Sequence, residues 1–165
     1  MDKIKLGISS CLLGENVRYD GANKLDHYLE DKLGKFVEWV GVCPEAECGL
    51  GVPREPMYLI GEPESPRLVT RNSGIDHTDR MLKWASIRLE QLEKEELAGF
   101  IFKSGSPSCG LKEVLSEKRT GIFAKEFTAH FRFTPVEDSD SLRDDKTREE
   151  FIKKAHVFKK ASSSS

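Results

Sequence analysis

Three cysteines in this sequence follow short apolar runs: Cys11 after Lys3 to Ser9, Cys43 after Phe36 to Val42, and Cys109 after Ala98 to Lys103 and a turn-forming Ser-Gly-Ser-Pro-Ser. Gathered thiols can bind a soft metal, attack an electrophile, or pack as small apolar groups. These three sit in Ser-, Gly- and Pro-rich segments and not inside the apolar runs, which weighs against packing alone. A structural zinc site usually draws on two close C-x-x-C pairs, and none is present. Thiolates scattered along the chain suit an iron–sulfur cluster better. Three cysteines on a four-iron cube leave one iron open as a Lewis acid for a sulfur or oxygen atom of a substrate. Cys48, five residues beyond Cys43, is either a loop thiol, the preferred reading, or a fourth ligand. Full ligation would make the protein a redox carrier or sensor. A metal-free enzyme with Cys109 as nucleophile lacks a well-placed histidine.

Polar residues near these cysteines supply the remaining chemistry. Glu45 follows Cys43 by two residues, so its carboxylate is a candidate general acid or base. Ser104, Ser106 and Ser108 alternate ahead of Cys109 and offer hydroxyls or amides to cluster sulfurs or to a ligand. Arg18, Asp20 and Arg54 lie in the two other loops, where they either orient a substrate or pin the loops by ion pairs. His27, His77, His130 and His156 fall at or inside expected helices and read as surface or helix-end residues.

The elements that must position these groups follow from hydrophobic spacing. Lys3–Ser9, Phe36–Cys43 and Ala98–Lys103 read as strands, with shorter extended pieces at Met57–Ile60 and Arg67–Thr70. Leu25, Tyr28, Leu29 and Leu33 place a helix over Asn23–Lys35. Met81, Leu82, Ala85, Leu89 and Leu92 place a longer one from Asp76 to Glu95. Further helices are expected over Gly121–Phe131 and from Ser141 to Phe158, separated by Thr134-Pro135 and Asp138–Asp140. Glu45–Pro66, rich in Pro and Gly, reads as a long loop, and such loops are usually functional. Strands alternating with helices predict an α/β layer with a mostly parallel sheet and flanking helices. In such sheets ligands bind beyond the carboxyl ends of the strands, where all three cysteines belong. One domain is expected over residues 1–160, with a disordered, serine-rich tail at 161–165.

With 26 Lys+Arg against 28 Asp+Glu in 165 residues, the net charge is −2, which offers no basic field for a nucleic-acid backbone. A small or weakly charged partner fits better. No run approaches the ~20 apolar residues of a membrane span, and Ile8-Ser9-Ser10-Cys11 lacks the ~7–15-residue apolar core of an export signal ahead of it. The expected location is the cytoplasm, with the thiols reduced.

Three ordered motifs carry a resemblance over most of the chain. They are Ser9-Ser10-Cys11-Leu12-Leu13-Gly14 with Val17-Arg18-Tyr19-Asp20-Gly21; Val42-Cys43-Pro44-Glu45 with Gly49-Leu50 and Pro53-Arg54; and Lys103-Ser104-Gly105-Ser106-Pro107-Ser108-Cys109-Gly110. Phe123-Ala124 and Pro135-Val136-Glu137 add to them. Together they resemble the family typified by bacterial thiouracil desulfidase, first known as a domain of unknown function. The resemblance implies a single Rossmann-like domain holding a [4Fe-4S] cluster on Cys11, Cys43 and Cys109, without Cys48. It implies removal of sulfur from thiolated nucleobases such as 2-thiouracil, or their nucleosides, releasing sulfide and the oxo base without net redox change. The open iron would take the thiocarbonyl sulfur. Glu45 would shuttle a proton or activate water with a motif serine, Ser106, assisting. Ser10, Arg18, Asp20, Arg54, Ser104 and Ser108 would contact substrate.

Overall fold

The structure, a computed structural model, describes residues 3–16, 18–22, 25–111 and 119–163. Val17 of the first motif, Asn23 and Lys24 of the first expected helix, and Ser164 and Ser165 lie outside the described residues.

Four parallel strands form the main sheet in the order β2-β1-β5-β6: β1 (Ile4–Ser9), β2 (Val37–Val42), β5 (Gly99–Phe102) and β6 (Val136–Asp138). The chain is therefore an α/β protein with the parallel sheet expected of it. Ser9 pairs with Val42, Ile8 with Ile101, and Phe102 with Asp138, so all four strands finish along one edge. An antiparallel hairpin of β3 (Met57–Ile60) and β4 (Arg67–Thr70) stands apart from this sheet.

Alternation along the strands divides the core. Ile4, Leu6, Ile8 and Ile101 pack against Leu29 and Leu33 of α1 (His27–Leu33) and against Phe151 and Ala155 of α4 (Asp145–Ser163). On the other face, Val42, Phe100 and Phe102 meet Ala85, Leu89 and Leu92 of α2 (Thr78–Glu93) and Phe123 and Phe127 of α3 (Ile122–His130). Phe100 and Phe102 stack with centroids 4.4 Å apart, and each such ring removed from water stabilises the fold by about 1.5–3 kcal/mol. Gly7 makes that packing possible, because a Cβ there would lie 2.3 Å from the Phe100 ring.

Several boundaries differ from the sequence expectation for identifiable reasons. Asp26 accepts the Leu29 amide at 3.1 Å and caps α1, which thus begins at His27. Asp76 is held by Arg67 at 2.8 Å and bridges to Val69, so α2 starts two residues later. Ser141–Arg143 forms a separate 3-10 turn, and α4 continues through Ala161, Ser162 and Ser163, into the expected disordered tail. Within the long loop, Ala46–Leu50 winds into a π-type turn. Strand β6 was not expected at all, since Val136-Glu137-Asp138 has no apolar run. No helix among the described residues is long and apolar enough to cross a membrane.

Candidate active site

The common strand edge opens into a cavity of about 260 Å³. Cys11 reaches it from the 3-10 turn Ser10–Leu13 that follows β1, Cys43 from the end of β2, and Cys109 from the loop after β5. Burial pushes the Cys11 thiol up and the Cys43 thiol up to about 11. Cys109 is driven further in the same direction, by burial first and then by repulsion from Cys43 and Cys11, against a hydrogen bond from Ser9 that favours its thiolate. Three thiols lining one edge are a soft donor set whose deprotonated form gains from a shared cationic partner. Among the described residues no group of three His, Cys, Asp or Glu side chains could hold a single metal ion. Soft thiols lining one cavity are donors of the kind that hold an iron–sulfur cluster.

Glu45 sits between two of these loops. Its Oε1 takes the Arg54 Nε–H at 3.1 Å, and its Oε2 takes the Ser108 hydroxyl at 2.9 Å. Both ends are shielded, with the Glu45 and Arg54 side chains 14% and 7% exposed. Arg54 also donates to the Gly51 carbonyl at 2.8 Å, which fixes its guanidinium. Ser106 Oγ lies 3.1 Å from Ser108 Oγ and accepts the amides of Ser108 and Cys109 at 3.2 and 3.0 Å. The two hydroxyls and the carboxylate form a chain along which a proton can move.

The Cys109 loop is locked from below by α3. Pro107 O accepts the Ile122 amide at 3.1 Å, and Ser108 O accepts the amides of Phe123 and Ala124 at 2.9 and 3.1 Å. Gly121 permits this close approach, because a Cβ there would lie 2.6 Å from the Ser108 carbonyl carbon.

Among the other residues singled out from sequence, Ser10, Arg18, Arg54, Ser106 and Ser108 line the cavity. Two do not. Ser104 turns to Asp138, donating to its Oδ1 at 2.8 Å and accepting the Asp140 amide at 3.1 Å. Asp20 closes its own turn on the Ala22 amide at 2.9 Å and stands 3.7 Å from Arg18, so it supports a cavity residue without facing the cavity. Cys48 lies elsewhere, in an apolar cluster with Met57, Leu59, Leu68, Met81 and Ile122, donating to the Glu45 carbonyl at 3.4 Å.

Sequence reasoning did not single out Tyr19, Tyr58, Arg71 and Lys103, which also line the cavity. Lys103 was open to discovery as the last residue before the β5 turn, and its Nζ is tied to the Ser104 carbonyl at 2.9 Å. Tyr58 and Arg71 arrive on the β3–β4 hairpin, whose placement over the strand edge has no local signal.

Comparison with known proteins adds three findings. Residues 6–139 match the family model described as 2-thiouracil desulfurase. The Bacillus subtilis (strain 168) protein YbbK, itself described as uncharacterized, is 33% identical over 111 residues, covering 62% of this chain and 71% of that protein. The solved structure of the [4Fe-4S]-dependent thiouracil desulfidase TudS is similar with a TM-score of 0.68 and 30% identity, over 87% of this chain and 94% of that one.

Proposed function

The chain belongs to the 2-thiouracil desulfurase family, and from that premise we propose that it is a [4Fe-4S]-dependent desulfidase of thiolated nucleobases. Cys11, Cys43 and Cys109 would hold the cluster, and the observation that carries this assignment is their convergence, with Glu45, on one cavity. When bound, the cluster supplies a soft Lewis-acidic iron with affinity for sulfur. The net change is exchange of a thiocarbonyl sulfur for the oxygen of water, giving the oxo base and sulfide with no electron gained or lost.

Glu45 is suited to take a proton from the attacking water and return it to the departing sulfur. Arg54 orients the carboxylate, and Ser108, bonded to it, is better placed to assist than Ser106. Arg18, Arg71 and Lys103 present cations to the polar edge of a base, while Tyr19 and Tyr58 give apolar faces for its ring. The substrate is a small thiolated base or its nucleoside, and a reducing cytoplasm suits the four free cysteines.

The second reading, a fully cysteine-ligated redox or sensor cluster, requires Cys48 at the cavity. Its place in the apolar cluster beneath the loop favours three ligands.

Anaerobic reconstitution tests the proposal directly. Iron and sulfide should bind with broad absorbance near ~400 nm, the signature of thiolate-held iron. The loaded protein should then convert 2-thiouracil to uracil and sulfide in equal amounts without added reductant. Protein that binds zinc but no iron–sulfur cluster, or turnover that consumes a reductant, would sink it.

A further inference from the structure

Cys43 is engaged at every polar atom by the four residues that follow it. Its sulfur receives the Ala46 amide, and its carbonyl accepts the Glu47 amide at 2.9 Å. Its own amide donates to Glu47 Oε2 at 2.7 Å. Pro44 comes directly after Cys43, where a turn needs no N–H and a fixed φ helps. The arrangement is like a capping box with the acid one position later than usual and a thiol as the side chain of the cap residue.

Glu47 is held in turn from outside the loop. Its Oε1 lies 3.0 Å from Arg88 Nε on α2, a helix seated on the sheet through Ala85, Leu89 and Leu92. The Arg88 Nε is buried and has no directed hydrogen bond, so the nearby carboxylate is what offsets its desolvation. A line of contact thus runs from the sheet through α2 and Arg88 to Glu47, and from Glu47 to the backbone of Cys43.

We propose that Glu47 is a positioning residue for the Cys43 ligand, fixing its backbone through the amide and anchored by Arg88. The inference rests on the reading of Cys43 as a cluster ligand. Groups that orient a ligand without touching the metal commonly govern how well the metal is held.

Three variants separate this role from a structural ion pair. E47Q keeps an acceptor for the Cys43 amide and removes the charge that Arg88 faces. E47A removes both. E47A/R88M removes both without leaving the buried Arg88 Nε beside an empty site. Two readouts apply to the full chain: the rate at which an iron chelator bleaches the anaerobically loaded protein, and, before loading, iodoacetamide labelling of Cys43 relative to Cys11, scored by peptide mass spectrometry.

E47A and the double variant should lose the cluster about tenfold faster or more, in the range seen for other outer-shell substitutions. Their Cys43 labelling should rise severalfold, while E47Q, which keeps an acceptor for the amide but not the charge that Arg88 faces, should fall between wild type and E47A on both measures. A double variant that holds its cluster and labels like wild type would overturn the proposal, and E47Q indistinguishable from wild type would overturn the anchoring by Arg88. Should the protein take up no cluster, the functional assignment fails, and the labelling arm still decides the role of Glu47.

Discussion

Ser108 Oγ lies 2.9 Å from Glu45 Oε2, joining two loops that are 63 positions apart in the chain. One of these loops carries Cys43 and the other Cys109, so the same bond that aims the carboxylate also ties two thiol-bearing loops together. Three hydroxyls alternate in the Cys109 loop, and each has a different main partner. Ser108 serves Glu45, Ser106 serves the amides of Ser108 and Cys109, and Ser104 serves Asp138.

This division predicts different kinetics for each substitution. Glu45→Gln should lower kcat by about 10²–10⁴ while the cluster absorbance stays unchanged, the usual weight of a general acid or base. Ser108→Ala removes one hydrogen bond to a charged group, worth about 1.5–3 kcal/mol, and should slow turnover about ten- to hundredfold. Ser106→Ala should bleach faster as well as turn over more slowly, because two loop amides lose their acceptor. Anaerobic sulfide release with parallel absorbance measurement distinguishes the three. Full activity in Ser108→Ala would deny that its bond to Glu45 matters.

The second prediction concerns Cys48. Cys48→Ser should keep the cluster and the desulfidation rate, because the thiol belongs to the cluster of Met57, Leu59, Leu68, Met81 and Ile122. A hydroxyl in that apolar setting should cost about 1–3 kcal/mol of stability, visible as a lower urea midpoint. Cys11→Ser, Cys43→Ser and Cys109→Ser should each leave the protein colourless or quickly bleached. Loss of colour in Cys48→Ser at a temperature where the protein remains folded would revive the fully ligated alternative.

The strand-end placement of Cys11, Cys43 and Cys109 was readable in sequence because β1, β2 and β5 are apolar runs with clear stops, and parallel strands must finish on one edge. Strand β6 was not readable. Its three residues include Glu137 and Asp138, and Asp138 is held by Ser104 and Ser141 hydroxyls and not by apolar packing. The same bond explains why Ser104 was assigned to the cavity from sequence, since its partner lies 34 residues away. Sorting three serines that share one turn grammar requires the partners of each, which spacing does not carry. The hairpin residues Tyr58 and Arg71 were hidden for a related reason: their approach to the cavity depends on tertiary placement of β3 and β4, not on local pattern.

Two arginines of the cavity should separate binding from chemistry. Arg71 lines the cavity without a hydrogen bond to Glu45, so Arg71→Ala should raise KM about tenfold with kcat within about twofold, the pattern of lost uniform binding. Arg54 holds Glu45 Oε1 at 3.1 Å, and Arg54→Ala should instead lower kcat. Steady-state kinetics on cluster-loaded protein, normalised to iron content, provide the comparison. Matching kinetic changes in the two variants would contradict the division.

The last prediction lies beneath the Cys109 loop. At Gly121 an added Cβ would meet three backbone atoms, Ser108 C at 2.6 Å, Ser108 O at 2.7 Å and the Gly110 amide nitrogen at 2.8 Å. No side-chain rotation relieves contacts with backbone, so Gly121→Ala must shift either α3 or the loop, at about 1–3 kcal/mol for an overpacked site. Because α3 is fixed by Phe123 and Phe127 in the aromatic core, the loop should be the part that yields. The variant should therefore lose its cluster faster than its loss of stability alone would produce. Phe127→Leu is the matched control, weakening the same core without touching Ser108. If the two variants bleach equally at equal unfolding free energy, Gly121 contributes only to stability and the close approach of α3 is not what sets the position of Cys109.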